Sequence, residues 1–313
     1  MNTGNESQMA EFILLGIPSS KELQLLLFVV LLGFYLLTIS ANLLIIGTIT
    51  LEFNLRKIPM YIFLCHFSFL EIWYITSTVP KMLVDFIVDN NIISYKGCIT
   101  QIYFFFALGF SELFFLSMMG YDRYLAICNP LRYNSIMTRK LCNQMAMFSW
   151  ICGFSSSFLL TIPSSRLLFC GPRVINHFFC DFVALLSISC NKTFGTDVIL
   201  YAFAWIIILY SFLFTTLSYV HIIKTISRLP SLLSRRKAFS TCVSHLTVVL
   251  TYYSTIVFIH IRPTTQYTLH MDKFVSVSYA IVIPLLNPIV YTLRNREVHD
   301  ALRKIITRGC ILI

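Results

Sequence analysis

Two glutamates stand inside long apolar stretches of the chain. Glu71 lies twelve residues after Pro59, about 18 Å along a helix, and Glu112 lies ten residues before Asp122, about 15 Å along its helix. If both stretches are membrane-spanning helices, both carboxyl groups lie near the middle of the bilayer and face the interior of a helix bundle. Two facing carboxyls invite a shared proton or a bound cation. The alternative is that each is protonated and hydrogen-bonded to a neighbouring hydroxyl.

A second set of charges, Asp122 and Arg123, ends an apolar run that begins near Ile99. An adjacent acid and base at the end of a run of membrane length is costly unless both side chains reach the interface or a partner. One interpretation is a pair of snorkelling anchors at a helix end. The other is a switch in which the arginine changes partners, and the surrounding residues described below favour it.

The composition is that of a membrane protein. The chain has 313 residues, of which 57% are hydrophobic and 12% are charged, whereas soluble proteins carry roughly 25% charged residues. The net charge of +10 does not indicate a nucleic-acid partner, because the basic residues lie in short loops between apolar runs. The expected surroundings are therefore a lipid bilayer.

Seven apolar segments are long enough to cross a bilayer, which takes roughly 20 residues per helix. They make up one unit, residues 23–293, and cover 23–50, 58–86, 98–127, 140–162, 196–224, 237–261 and 271–293. Residues 294–313 are predicted to be a cytoplasmic tail, in which alternating basic and apolar residues from Arg294 to Lys304 predict an amphipathic helix. The predicted fold class is an all-α membrane protein, a seven-transmembrane helix bundle with a short amphipathic eighth helix.

Lysine and arginine concentrate in the tail and in the loops near 51–57, 128–139 and 225–236. Because positively charged loops stay in the cytoplasm, residues 1–22 are predicted to be extracellular. Asn5 begins the sequon Asn5-Glu6-Ser7, which is used only on the lumenal or extracellular side. The sequence predicts a multi-pass protein of the plasma membrane with a glycan at Asn5.

Several motifs resemble those of one receptor family. Residues 119–133 read MGYDRYLAICNPLRY, which resembles the third-helix signature of rhodopsin-like G-protein-coupled receptors and, more narrowly, the MAYDRYVAICxPLRY form of odorant receptors. Gly120 and Leu125 are small departures. Further matches are PMY at 59–61, SYVHII at 218–223, KAFSTCVSHL at 237–246 and PLLNPIVY at 284–291. The chain resembles the majority (class II) type of vertebrate odorant receptor.

The resemblance implies an odorant receptor that activates a stimulatory olfactory G protein and raises cyclic AMP. It also implies a bound sodium ion between Glu71 and Glu112 that favours the inactive state, and otherwise no cofactor. The residues that it assigns to activation and G-protein coupling are Asp122, Arg123, Tyr124, Tyr219, Lys237, Asn287, Pro288 and Tyr291.

Four cysteines lie on the predicted outer side of the membrane. An oxidising compartment favours two disulfides there, and the chain by itself allows three pairings. The family resemblance, carried by CGP at Cys170 and HFFCD at Cys180, implies Cys98–Cys180 and Cys170–Cys190.

A ligand pocket is expected in the outer half of the bundle, between the third, fifth, sixth and seventh spans. Its candidate lining residues are Phe105, Phe106, Gly109, Phe110, Phe203, Ile207, Tyr253, Ile256 and His260. Such an aromatic stripe can also be plain packing. A mostly apolar pocket suits small, volatile, uncharged molecules. Biogenic amines are disfavoured because no acid lies in the outer part of the third span.

Two other classes of protein are weighed against a receptor. An ion-coupled transporter or channel would use Glu71 and Glu112 for coupling or conduction, but matching halves with paired Gly/Pro-broken spans are not apparent. A membrane enzyme is disfavoured because the sequence contains neither HExxH nor GxSxG and has no evident nucleophile–base pair.

Overall fold

The computed structural model describes residues 11–17, 20–88, 91–190, 194–260, 273, 275–293 and 296–311. Its helices are α1 (Lys21–Leu51), α2 (Pro59–Val88), α3 (Tyr95–Cys128), α4 (Pro130–Ile136), α5 (Arg139–Ser164), α6 (Phe182–Ser187), α7 (Phe194–Ser227), α8 (Leu232–His260), α9 (Ile283–Leu293) and α10 (Arg296–Ile311). A 3-10 turn at Leu55–Lys57 precedes α2, and a π-helical turn at Ser278–Val282 leads into α9.

Within the described residues, six helices are long and apolar enough to cross a membrane, and a shorter apolar helix covers Val275–Tyr291. The shortest of the six, α5, has 26 residues. That corresponds to about 39 Å, more than the roughly 30 Å of a bilayer's hydrocarbon core. The predicted fold class is confirmed. The exact limits of the membrane-embedded segments stay predictions.

Short polar residues begin three of the long helices. Ser20, Ser94 and Thr138 are the N-caps of α1, α3 and α5, and each side-chain oxygen accepts a hydrogen bond from the backbone N–H three residues later. Caps of this kind stabilise a helix by about 1 kcal/mol each. The helix starts are thus encoded locally, although helix packing is not.

The C-terminal helix α10 is amphipathic. Val298 and Ala301 are buried against the bundle, while Arg303 and Lys304 are exposed. The hydroxyl of Tyr61, at the start of α2, donates a hydrogen bond to Glu297 Oε2 at 2.8 Å. This helix is therefore joined to the bundle by apolar packing and by a polar contact.

A small sheet covers the outer end of the bundle, and the sequence analysis does not predict it. Its strands are β1 (Glu11–Leu14), β2 (Ile92–Ser94) and β3 (Val174–Ile175), in the order β2-β1-β3. β1 pairs antiparallel with β2 and parallel with β3. Phe12 and Leu14 are buried while the residues between and before them are exposed, as strand alternation requires. The N-terminal strand thus ties two outer loops together.

Helix α3 is the centre of the bundle and contacts α2, α5, α7 and α8. Its closest approach to α5 depends on small residues, since these let membrane helices pack backbone to backbone. Ser157 Oγ donates a hydrogen bond to the carbonyl of Tyr103 at 2.7 Å. A Cβ atom at Gly153 would lie only 2.0 Å from Ser111 Oγ. This packing fixes the helix that carries most of the candidate site residues.

Candidate functional site

A cavity of about 160 Å³ lies in the outer half of the bundle, between α3, α7, α8, the π-helical turn and α6. Its wall is mostly aromatic and aliphatic. The residues that line it are Tyr74, Phe105, Phe106, Gly109, Phe110, Leu113, Asp181, Phe182, Val183, Ala204, Ile208, Tyr252, Ile256, Tyr279 and Ile283. Ligand sites typically combine such apolar walls with a few polar groups.

The predicted lining residues of α3 all reach this cavity. Phe105, Phe106, Gly109 and Phe110 line it, as does Ile256 of α8. Glycine at position 109 leaves room in a wall otherwise made of large rings, and its carbonyl accepts a hydrogen bond from the Tyr252 hydroxyl at 3.2 Å. Five of the candidate residues thus line one cavity, and their role in ligand binding stays a prediction.

On α7 and α8, three of the predicted residues do not face the cavity, but their sequence neighbours do. The neighbour is one position later on α7 and one position earlier on α8. Ala204 and Ile208 face the cavity next to the predicted Phe203 and Ile207, and Tyr252 faces it next to Tyr253. Phe203 and Ile207 belong instead to the packed core beside it. Tyr253 packs edge-on against Phe212. The side chain of the remaining candidate, His260, lies outside the part of the chain that the structure describes, as does Asn5.

Helix α6 lines the outer side of the cavity and forms a short lid over it. The loop that contains this helix is held by two disulfides, Cys98–Cys180 and Cys170–Cys190. These are the two pairs that the family resemblance implies. Helix α6 begins two residues after Cys180, so the first bond ties the lid to the start of α3.

The two predicted midplane glutamates meet inside the bundle. Glu71 and Glu112 are both buried, and Asn287 Nδ2 donates a hydrogen bond to Glu71 Oε1. Glu112 interacts with Glu71, Asn287 and Tyr252. Glu71 Oε2 and Glu112 Oε1 have no hydrogen-bond partner among the described residues. Two buried carboxylate oxygens without donors fit a small cation such as sodium, because hard cations prefer oxygen ligands. A shared proton fits them as well.

A layer of hydroxyl groups lies between α3, α7 and α8. Ser211 Oγ donates to the carbonyl of Leu113 at 2.9 Å and also contacts the hydroxyl of Tyr253. Ser117 Oγ lies 2.9 Å from Ser211 Oγ. These buried contacts join three helices with polar groups that satisfy one another.

Towards the end of the bundle that contains Asp122 and Arg123, His245 of α8 joins the same three helices. Its Nε2 lies 3.1 Å from the carbonyl oxygen of Leu116 on α3, so this nitrogen carries the proton and donates. Its Nδ1 then accepts a hydrogen bond from the hydroxyl of Tyr219 on α7 at 2.8 Å. Sequence analysis names Tyr219 but not His245. The KAFSTCVSHL string contains it, yet nothing in that string shows its partners.

Asp122 and Arg123 form a buried pair at the end of α3. The guanidinium Nε of Arg123 donates to Asp122 Oδ2 at 3.0 Å, and a second guanidinium nitrogen donates to the same oxygen. The hydroxyl of Tyr133 donates to Asp122 Oδ1 at 2.7 Å. Arg123 is 7% exposed and Asp122 is 1% exposed, so both charges are removed from water and depend on each other.

The other residues assigned to activation lie around this pair and around α9. Tyr124 packs against His221 of α7, and Lys237 is exposed near the start of α8. Pro288 and Tyr291 are buried on α9. Tyr291 packs edge-on against Phe67, and its hydroxyl has no hydrogen-bond partner in the described residues.

Comparison with known proteins decides the family. The olfactory receptor family model matches residues 31–309. The chain belongs to the olfactory receptor family. It is 46% identical to human olfactory receptor 6P1, covering 96% of this chain and 94% of the relative. It is 47% identical to human olfactory receptor 6F1 (97% and 98% covered) and 47% identical to rat olfactory receptor 287 (96% of each chain covered).

The outer cavity and the buried polar groups are thus features of an olfactory receptor. The olfactory receptors are membrane receptors and not enzymes, and the long apolar helices of this chain agree with a multi-pass membrane protein. The transporter or channel alternative receives no support from these relatives.

The loop histidine His177 is expected to make this receptor less stable in acid. Phe179 N–H donates to His177 Nδ1 at 3.4 Å, and Nε2 lies 3.2 Å from Ser276 Oγ. Burial lowers the pKa of His177 from its ordinary 6.5 to about 4; Asp181 raises that pKa and Lys273 lowers it further. Between these two pH values His177 binds a proton in the unfolded chain but not in the folded protein. Stability is therefore lost as the pH falls from 6.5 to 4.

This prediction can be measured by thermal unfolding of the purified receptor between pH 7 and pH 4. His177→Gln should reduce the loss of stability by on the order of 3 kcal/mol, whereas His299→Gln, an exposed control on α10, should leave it unchanged. A His177→Gln variant that loses stability with pH as steeply as the parent would contradict the role of His177.

Proposed function

We propose that this protein is an odorant receptor of the plasma membrane, with its N-terminus outside the cell. It binds small, mostly apolar volatile molecules in the outer cavity and activates a stimulatory olfactory G protein that raises cyclic AMP. The observation that carries this proposal is that α8 lines the outer cavity with Tyr252 and Ile256 and is also held to α3 and α7 by His245. Family membership gives independent support.

Binding would act first on α8. Tyr252 and Ile256 line the cavity, so a ligand there contacts α8 directly and competes with the hydrogen bond from Tyr252 to Gly109. The next residue, Tyr253, is bonded to Ser211 of α7. A small rotation of α8 at this level therefore changes its contacts with α3 and α7 together.

The same helix carries His245 two to three turns further towards the cytoplasm. In the present arrangement His245 holds α8 to Leu116 of α3 and to Tyr219 of α7. Release of these bonds lets the cytoplasmic end of α8 move outward. A ligand shifts the equilibrium towards that arrangement only by as much as it binds it more tightly.

Arg123 is the final step of this proposal. In the described arrangement its guanidinium is buried and bound to Asp122. Outward movement of α8 opens a separate cavity on the cytoplasmic side. There Arg123 can leave Asp122 and contact the G protein. Lys237, exposed at the cytoplasmic start of α8, borders the same opening.

Sodium at the midplane would oppose this change. Glu71 Oε2 on α2 and Glu112 Oε1 on α3 have no hydrogen-bond partner within the described part of the chain, and Asn287 on α9 contacts Glu71. A cation held by these groups favours the arrangement in which the three helices stay together. Exchange of that cation for protons would weaken this preference.

The test is a cyclic AMP assay in cells that express the receptor with the olfactory G protein and are challenged with a broad odorant panel. We expect a concentration-dependent response that is lost in Arg123→Ala at equal surface level. Arg173→Ala removes an exposed arginine on the outer side and should respond like the parent.

Silence of a surface-expressed parent to the whole panel would contradict the receptor proposal. Ion flux through that silent protein, abolished by Glu112→Gln, would instead support a transporter or channel.

A further inference from the structure

One residue with a charged side chain lines the outer cavity. Among the described residues that line it, Asp181 alone carries a charge, and most of the wall is aromatic or aliphatic. Asp181 lies in the loop between α5 and α7, directly after Cys180. It therefore lies outside the third span, the segment on which the expectation about acids was based.

The carboxylate of Asp181 has capacity for a ligand. Asp181 is half-buried and is the N-cap of α6, where its Oδ1 accepts a hydrogen bond from the N–H of Ala184 at 2.9 Å. An ionised carboxylate offers about four acceptor positions on two oxygens, so this cap uses a minor part of them. His177 does not supply a counter-charge, because burial lowers its pKa to about 4 and it is neutral at pH 7.

Asp181 is held in place by its neighbour Cys180. The disulfide to Cys98 ties Cys180 to the start of α3. The N–H of Cys180 donates to Gln101 Oε1 at 2.9 Å, and Gln101 Nε2 donates to the carbonyl of Ser77 on α2 at 3.0 Å. The backbone next to Asp181 is therefore fixed relative to two helices before a ligand arrives, which reduces the entropic cost of binding.

We propose that the cavity selects small apolar molecules with a hydrogen-bond donor at one end, protonated amines first and alcohols second, and that Asp181 receives the donor. This inference rests on the proposed odorant-receptor function and names its ligand class. A carboxylate in a mostly apolar cavity is costly unless its charge is compensated. Hydrogen bonds to an ionised group are about twice as strong as neutral ones.

Ketones of the same shape lack the required group. A ketone presents only an acceptor, so it brings no donor to the carboxylate and leaves the Asp181 charge uncompensated. The inference replaces the expectation of an uncharged ligand, which considered acids in the third span alone.

The experiment uses three matched sets of ligands, each with an amine, an alcohol and a ketone on one skeleton: linear hexyl, cyclohexyl and benzyl. For at least one skeleton, the amine should activate the parent receptor at a concentration about tenfold or more below that of the ketone. Asp181→Asn keeps the cap, because asparagine caps helices as well as aspartate does. It should raise the half-maximal amine concentration about 10- to 100-fold while the ketone response is unchanged or improved.

Asp85→Asn is the matched control, since Asp85 is an outer aspartate that lines a different cavity. It should leave the order of the ligands as in the parent at equal surface level. Thermal unfolding of the purified receptor with each ligand separates binding from signalling. Amine-specific stabilisation that Asp181→Asn removes supports the inference even if signalling fails, and signalling failure then counts against the proposed function alone.

Three results would overturn the inference. The first is a parent that prefers the ketones. The second is an Asp181→Asn variant that weakens all three ligand types equally, which would mean that Asp181 only holds the lid. The third is a parent that neither responds to nor is stabilised by any amine or alcohol of the sets, while other odorants in the broad panel activate it.

Discussion

Gly153→Ala should largely abolish the folded receptor at the cell surface. The added Cβ atom would lie 2.0 Å from Ser111 Oγ, 2.6 Å from the backbone nitrogen of Ser111 and 2.8 Å from the carbonyl oxygen of Ala107. Two of these atoms belong to the backbone of α3, so rotating one side chain does not relieve the clash. Helices α3 and α5 would have to separate, at a cost of about 3 kcal/mol or more in the free energy of unfolding.

Surface staining and thermal unfolding measure this effect. Gly33→Ala and Gly47→Ala are matched controls within α1, because an added Cβ meets nothing within 4 Å at either position. Ser111→Ala combined with Gly153→Ala should remain defective, since it removes the hydroxyl and leaves the two backbone contacts. Normal surface level of Gly153→Ala would show that the close packing of α3 and α5 is not required.

Asp122→Asn is expected to raise cyclic AMP in the absence of ligand. It leaves the Arg123 guanidinium, 7% exposed, without a charged partner. Breaking a buried ion pair from one side costs about 3 kcal/mol or more. This cost falls on the closed arrangement, in which His245 holds α8 to α3 and Arg123 is bound to Asp122. The balance therefore shifts about a hundredfold towards the open arrangement, in which the cytoplasmic end of α8 has moved outward. Tyr133→Phe removes only the hydrogen bond to Asp122 and should have a smaller effect in the same direction.

Basal cyclic AMP per receptor at the surface is the measurement for this second prediction. Asp300→Asn makes the same substitution at an exposed position on α10 and should leave basal signalling unchanged. If Asp122→Asn reaches the surface and its basal signal equals that of the parent, the Asp122–Arg123 pair does not hold the closed arrangement.

The sequence predicts the fold class because the relevant signals are local. An apolar run of membrane length forms a helix wherever it lies in the chain, since lipid leaves the backbone no other hydrogen-bond partners. Charges inside such runs are costly enough to be informative, so Glu71, Glu112, Asp122 and Arg123 mark the bundle interior without a structure. The cavity-facing part of α3 follows from the helical spacing of its aromatic residues and Gly109.

The orientation of α7 and α8 was beyond the sequence. Helical periodicity states which residues share a face, but lipid and protein interior are both apolar, so hydrophobicity does not mark the inner face. Only packing decided that Ala204, Ile208 and Tyr252 face the cavity, one position away from the residues chosen by spacing.

Contacts between distant segments also depend on the tertiary structure alone. The strand at Glu11–Leu14, the place of Asp181 in the cavity wall and the bonds of His245 each join parts of the chain far apart in sequence. No periodicity or composition encodes such a meeting. Sequence determined that this protein is a helix bundle with costly buried charges, whereas tertiary packing decided which side chains meet those charges and which face a ligand.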